Sequence, residues 1–341
     1  MNEDDPLAAV GWNDRFAALF TSVAAAGAQP GRIMRHDRGA FMVAVRNGVM
    51  QLPARRSVDM LTVGDWVVVE DGAISGLLTR SSLLRRKDPA AGEQLLAANV
   101  DVVAMVFGAD RPIKAGRLYR TRTQIWDAGS TPLVVLTKAD LLDGIDPVVA
   151  RIHEIDPLLD VVAVCSFTGD GLEALRGHVA GRTLALIGES GAGKSTLVNA
   201  LVGGDVALVS AVRTTDHRGR HTTTSREVHP LPGGGVLIDT PGLREVGLWT
   251  DESAVDATFP EIEELAEACQ FRDCSHGPEP GCAVREAVAD GRLTGERYDA
   301  WLSLRREAAS AARRADEHAR RAYERQFGRA VKDALRHKGF R

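Results

Sequence analysis

The sequence predicts a multidomain α/β chain, and three patterns carry that prediction. Residues 32–87 fall into short Val- and Ile-rich runs broken by Gly, Asn, Asp and Pro, the pattern of a small β-barrel. Residues 100–239 alternate apolar strands with amphipathic helices, which calls for a parallel sheet with helices on both faces. Near the C-terminus three cysteines and one histidine crowd into the stretch Cys269–Cys282, too small to bury much of a core without a metal. A chain of 341 residues has room for two or three such cores.

The first thirty residues read as a helical extension. Phe16, Leu19, Phe20 and Val23 recur at helical spacing, with Asn13 as N-cap and Gly27 as a stop. The acidic start Asn2-Glu3-Asp4-Asp5 is unlike a signal peptide, and no apolar run has a membrane-spanning length. Four cysteines, three of them clustered as ligands would be, point to metal binding in a reducing compartment, so the chain reads as cytoplasmic and without membrane contact; a monomer is expected.

Residues 31–88 follow as the barrel. Its strands are Arg32–Met34, Phe41–Val45, Asp65–Val69 and Ala73–Leu78, consistent with a Greek-key OB-fold. Arg32, Arg35, Arg38, Arg46, Arg55 and Arg56 lie in or beside them, and Phe41 and Trp66 could stack on bases. The barrel is therefore a candidate RNA-binding domain, the plain alternative being an Arg-rich solvated surface. Residues 88–98 read as a linker.

Residues 97–250 form the α/β segment. Strands at Val100–Phe107, Pro132–Leu136, Asp160–Cys165, Thr183–Ile187 and Val236–Asp239 alternate with helices at Ala115–Ala128, Pro147–Ile155 and Gly171–Val179. The strand Thr183–Ile187 runs into Gly188, Glu189, Ser190, Gly191, Ala192, Gly193, Lys194 and Ser195, a G-x-x-x-x-G-K-S loop, and Thr196 continues into a helix. Such a loop turns successive N–H groups onto phosphate oxygens at a helix N-terminus. Lys194 is placed to reach the β- and γ-phosphates, and the Ser195 hydroxyl to complete a Mg²⁺ shell.

Thr137, Lys138, Ala139 and Asp140 end an earlier strand of the same sheet, where ligands of such sheets sit. The Asp140 carboxylate can accept from both donors on the guanine edge, a pair adenine lacks, which disfavours an ATPase. After the next strand, Cys165-Ser166-Phe167-Thr168-Gly169 suits a loop closing over the base, with Ser166 as its contact.

Residues 251–300 make the metal module. Cys269, Cys274, His276 and Cys282 offer three thiolates and an imidazole, a closed tetrahedral set for one structural zinc ion with no position left for a reacting water. Residues 301–341 read as a basic helix and tail. Formal charge totals −4, yet from Thr294 onward 13 Lys/Arg face 7 Asp/Glu, an arm suited to phosphates.

Base reader, closing loop, phosphate loop, the threonines after Arg218-Gly219-Arg220-His221, and Asp239-Thr240-Pro241-Gly242 follow one another in the order of a circularly permuted GTPase. Over residues 31–300 the chain resembles the RsgA family, GTPases dependent on the small ribosomal subunit. The resemblance implies that Asp239, with Thr222 or Thr223, reaches Mg²⁺ and that the Gly242 N–H senses the γ-phosphate. Leu243 stands where Ras-like enzymes carry a water-orienting Gln, so the resemblance gives that task to His221. It also implies binding of GTP and GDP, contact with the 30S subunit and 16S rRNA late in maturation, and release on hydrolysis. An RNA-binding scaffold with a guanine-nucleotide sensor and negligible turnover is the alternative. Two positions depart from the pattern. Thr137 replaces the usual Asn and removes an amide brace, so weaker nucleotide binding with unchanged base choice is expected. Gly191 stands where potassium-activated relatives carry Asn, which argues against potassium coordination by that route.

Overall fold

A computed structural model describes residues 5–37, 39–53, 60–88, 92–203, 226–239, 252–277 and 279–310. The chain divides into two compact units, Met1–Lys114 with Gln124–Trp249, and Ala115–Thr123 with Thr250–Arg341. Among the described residues no helix is long and apolar enough to cross a membrane.

The first unit opens with a 3₁₀ turn, Pro6–Val10, and helix α1, Asp14–Val23. Asn13 caps α1 by accepting from the Phe16 N–H at 3.2 Å. The helix ends at Val23, before Gly27, and it is Leu7, Val10, Trp12 and Phe16 that are buried while Val23 is exposed. The barrel strands are β1 (Gln29–Asp37), β2 (Ala40–Val45), β3 (Gly48–Pro53), β4 (Trp66–Glu70) and β5 (Ala73–Leu77). β1 pairs antiparallel with both β2 and β4, β2 with β3, and β4 with β5. Ile33, Val43, Leu52, Val67 and Ile74 fill the interior.

The segment read as a linker is half of a hairpin, because β6 (Leu83–Asp88) pairs with β7 (Gly92–Ala98). Its Pro- and Gly-bearing centre resembles a linker only because a hairpin turn uses the same residue types. Ala98 and Asn99 then tie back to the barrel through Ala98 N–H to Val63 O and Asn99 Nδ2 to Gly64 O.

The α/β part runs β8 (Val102–Gly108), α2 (Ala115–Asp127), β9 (Thr131–Thr137), α3 (Asp146–Ile155), β10 (Val161–Ala163), α4 (Leu172–Val179), β11 (Thr183–Ile187), α5 (Lys194–Val202), β12 (Glu227–Pro230) and β13 (Val236–Asp239). Strands β10, β9, β8, β11 and β13 lie side by side, all parallel. They are apolar along most of their length because both faces are covered. β12 adds antiparallel to β13 and also meets β1 at Arg35↔Glu227, so one sheet continues from the nucleotide-type core into the barrel.

Three residues read as an RNA-facing surface are interior instead. Arg32 is 1% exposed; its guanidinium donates to the Val10 carbonyl and, at 3.0 Å, to the Thr183 hydroxyl. It lies over the Trp66 ring, and burial lowers its pKa to about 10 against the opposing pull of Asp101 and Asp65. Trp66 is fully buried against Trp12 and Phe16, and Phe41 is interior, so neither ring is a stacking platform for RNA. Arg35 pairs with Asp37 and Glu227, and Arg46 with Asp5; Arg38, Arg55 and Arg56 lie outside the described residues.

In the second unit, α6 (Glu252–Thr258), α7 (Pro260–Ala266), α8 (Ala283–Ala289) and α9 (residues 295–310) pack with the first turns of α2. Phe259, Trp301 and Leu304 are buried there, and Arg297 lies against the packed Tyr119 and Phe259 rings while pairing with Glu261. The basic positions beyond residue 310 lie outside the described residues.

Candidate nucleotide site and metal cluster

Five parallel strands end at one edge: β8 at Gly108, β9 at Thr137, β10 at Ala163, β11 at Ile187 and β13 at Asp239. Ligands of open parallel sheets bind at this edge. The phosphate-type loop, Gly188–Gly193, joins β11 to α5. Two of its glycines are required sterically. A Cβ on Gly188 would lie 2.3 Å from the Val106 carbonyl oxygen, and Gly193, at φ +85°, would bring one to 3.1 Å from Thr137 Oγ1. Ala192 is buried, Ser195 and Thr196 stand exposed on the first turn of α5, and Lys194 Nζ donates to the Gly188 and Glu189 carbonyls at 2.6 Å each.

Thr137 does not leave that loop unbraced. Its hydroxyl, 2% exposed as a residue, donates to the Ala192 carbonyl at 2.6 Å and lies 3.2 Å from the Phe107 carbonyl. A hydroxyl thus braces the loop where the usual Asn would place an amide. The same contact brings Thr137–Asp140 and the phosphate-type loop together across 55 residues of chain. Lys138 adopts a left-handed conformation, φ 58°, and pairs with Asp110 at 3.0 Å; Asp140 is exposed. The hydrogen bond from Lys138 holds the Asp110 carboxyl below its usual range. Cys165 is buried and Ser166 half-buried at the end of β10, where the Val164 N–H donates to Leu136 O at 2.7 Å.

Sequence reasoning passed over Asp110 and Arg111. Arg111 leans on the loop, with a guanidinium nitrogen 3.4 Å from Ser190 O and 3.7 Å from the Glu189 carboxylate. Gly108-Ala109-Asp110-Arg111-Pro112, a turn directly after a buried strand at the ligand edge, was the available signal. On the far strand, burial raises the Asp239 carboxyl, Glu227 adds to the rise, and His229 opposes it. His221, Thr222, Thr223 and Gly242 lie outside the described residues.

In the second unit the ligand atoms of Cys269, Cys274, His276 and Cys282 all lie within 4.8 Å of one another. His276 Nδ1 is 3.5 Å from Cys269 Sγ and 3.6 Å from Cys282 Sγ. A tetrahedral ion bound by thiolate and imidazole spaces such neighbours about 3.6 Å apart, so the donor set fits a metal. Tyr298 OH donates to the His276 backbone carbonyl at 2.6 Å, and Trp301 meets the imidazole edge-on. Burial pushes the Cys274 thiol up to about 11. Burial acts the same way on Cys269, but hydrogen bonds from the Ala283 and Val284 N–H groups and from the neighbouring Cys274 and Cys282 thiols together lower that thiol.

The family model described as RsgA GTPase matches residues 77–249, half of the chain. The chain is 41% identical over 352 residues to the small ribosomal subunit biogenesis GTPase RsgA of Streptomyces coelicolor, covering 97% of this chain and 96% of that protein. This chain belongs to the RsgA GTPase family. A second relative, RsgA 2 of Vibrio parahaemolyticus, is 39% identical over 98% of this chain and 94% of its own length. Among solved structures, YloQ, titled a circularly permuted GTPase, matches with a TM-score of 0.60 at 26% identity over 83% of this chain and 96% of its own. YjeQ from Thermotoga maritima matches in fold, with a TM-score of 0.62 at 24% identity over 83% and 99%. The permuted order of motifs and the mixed sheet agree with these neighbours.

Proposed function

We propose that this chain is a GTPase acting in biogenesis of the small ribosomal subunit, binding the 30S particle through 16S rRNA late in maturation and leaving it on GTP hydrolysis. The observation that supports this reading is the Thr137 hydroxyl on Ala192 O, which brings Thr137–Asp140 beside the Gly188–Gly193 loop that follows it in the chain. The names of the relatives, small ribosomal subunit biogenesis GTPases, support the cellular role.

In this reading the N–H groups of Gly188–Gly193 cradle the phosphates and Thr196 supports them from the first turn of α5. Lys194 exchanges its two carbonyl partners for β- and γ-phosphate oxygens. Asp140 accepts from the guanine edge beside Lys138 and Ala139, and Ser166 closes over it. Ser195, Asp239 and the pair Thr222/Thr223 hold Mg²⁺. When bound, that ion neutralises charge on the phosphate oxygens. The raised Asp239 carboxyl ionises more readily beside a cation. Gly242 N–H meets the γ-phosphate, and a neutral His221 orients the attacking water in place of the Gln that Leu243 replaces. Cys269, Cys274, His276 and Cys282 hold one structural zinc ion. The protein works as a cytoplasmic monomer.

Turnover of GTP and ATP, measured with purified small and large subunits, tests this. Slow GTP hydrolysis, accelerated by small subunits alone, is expected; His221→Ala abolishes the acceleration without weakening GDP binding. Unassisted GTP turnover near the enzyme median of about 10 s⁻¹ would overturn it. Leu243 favours one other reading, a scaffold with a nucleotide sensor, which predicts no acceleration by either subunit.

A further inference from the structure

Among the described residues, Phe167 is the most exposed large apolar side chain, at 85%. Its loop is tightly closed. Cys165 N–H donates to Asp170 O and Gly169 N–H to Cys165 O, each at 2.9 Å, and Thr168 Oγ1 bonds the Asp170 carboxylate at 2.6 Å. The aromatic ring is thus presented from the crown of a short, internally bonded turn. That turn adjoins the strand end bearing Asp140, because the Ala139 N–H points at Val164 O at 3.4 Å. The Lys138 ammonium is held from the other side by Asp110, at 3.0 Å.

Leu158 is nearly as exposed, at 82%, but it precedes β10, at the end of the strand away from the ligand edge. Exposure alone therefore does not single out Phe167. What does is its place at the ligand edge, on the turn next to the strand end that carries Asp140, a carboxylate able to take two donors from one edge of a flat ring. A purine presents both features at once, a face to stack and an edge to pair.

The geometry points to Phe167 as the stacking platform for the guanine base, a positioning residue that adds affinity through the ring face while Asp140 selects the edge. The inference rests on the guanine-nucleotide reading of this site. A base stacked on an aromatic ring gains affinity without base selectivity, since every base has a π-face.

The test uses the full chain and four variants: Phe167→Ala, Phe167→Leu, Phe167→Trp and Asp140→Asn. Asp140→Asn should shift preference from GDP to xanthosine diphosphate, which checks the base-reading site independently. Phe167→Ala should weaken GDP binding about tenfold with guanine-over-adenine preference unchanged. Phe167→Leu, apolar but without a π-face, should recover little of the loss. Phe167→Trp should bind GDP as the parent does, its added emission quenched by GDP and not by pyrophosphate. GDP affinity within about twofold of the parent in Phe167→Ala, or Phe167→Trp emission indifferent to saturating GDP, would overturn the assignment while Asp140→Asn still shifted preference. An Asp140→Asn variant that keeps its GDP preference would overturn the guanine reading and this assignment with it. A Phe167→Ala defect seen only in stimulation by small subunits would give the ring to a macromolecular contact and also overturn it.

Discussion

A single hydroxyl shows how residue chemistry, rather than motif identity, decides the site. Thr137 Oγ1 has one proton, and the 2.6 Å contact to Ala192 O takes it. That carbonyl belongs to the buried side of a loop whose outward N–H groups must all face the phosphates, so its partner fixes the loop's orientation. Replacing Thr137 by the isosteric Val removes the donor and leaves a buried carbonyl unpaired, a loss of about 1–3 kcal/mol. Thr137→Val should therefore weaken GTP and GDP alike by about tenfold, with preference for guanine intact because Asp140 is untouched. Titration with a fluorescent GDP analogue measures this, and an unchanged dissociation constant would show that the bond does not order the loop. Whether a Thr in this position braces the loop cannot be read from the letter alone, since the partner lies 55 residues away.

At the scale of elements, the nucleotide-type sheet was legible because its strands are apolar runs buried on both faces, bounded by turn residues. β3, β12 and the β6–β7 hairpin were not. β3 and β12 each end in proline and carry polar residues, and the hairpin's centre uses linker residues. The arginines were harder still. Nothing in the sequence separates Arg32, which ties the 3₁₀ turn, β1 and β11 together through Val10 O and Thr183 Oγ1, from a solvated arginine. Its charge is tolerated because Asp101 and Asp65 lie near and Trp66 covers one face. Arg32→Met keeps much of the bulk but leaves those acceptors without their donor, so it should cost about 3 kcal/mol. Urea unfolding followed by tryptophan emission reads the change through Trp12 and Trp66. A midpoint equal to the parent's would show that the junction stands without the guanidinium.

Across the whole molecule the nucleotide machinery and the metal cluster fall in different compact units, each with its own buried core. A chain that threads from Asp239, at the phosphate edge, to α6 at Glu252 in only a dozen residues gives a covalent route from one to the other. If hydrolysis drives release, the small subunit must bind the GTP form more tightly than the GDP form, since a ligand shifts an equilibrium only by its differential affinity. We predict at least a tenfold difference, about 1.4 kcal/mol, measured by co-sedimentation with a non-hydrolysable GTP analogue and with GDP. Stripping the metal with a chelator should unfold the Cys269–Cys282 segment of the second unit, which its four ligands hold together, and so abolish subunit binding in both states. GDP affinity should persist, because Thr137–Asp140 and Gly188–Ser195 belong to the other unit. Equal affinity of the two nucleotide states for the subunit would remove the basis for hydrolysis-driven release, and loss of GDP binding on chelation would show that the two cores do not stand independently.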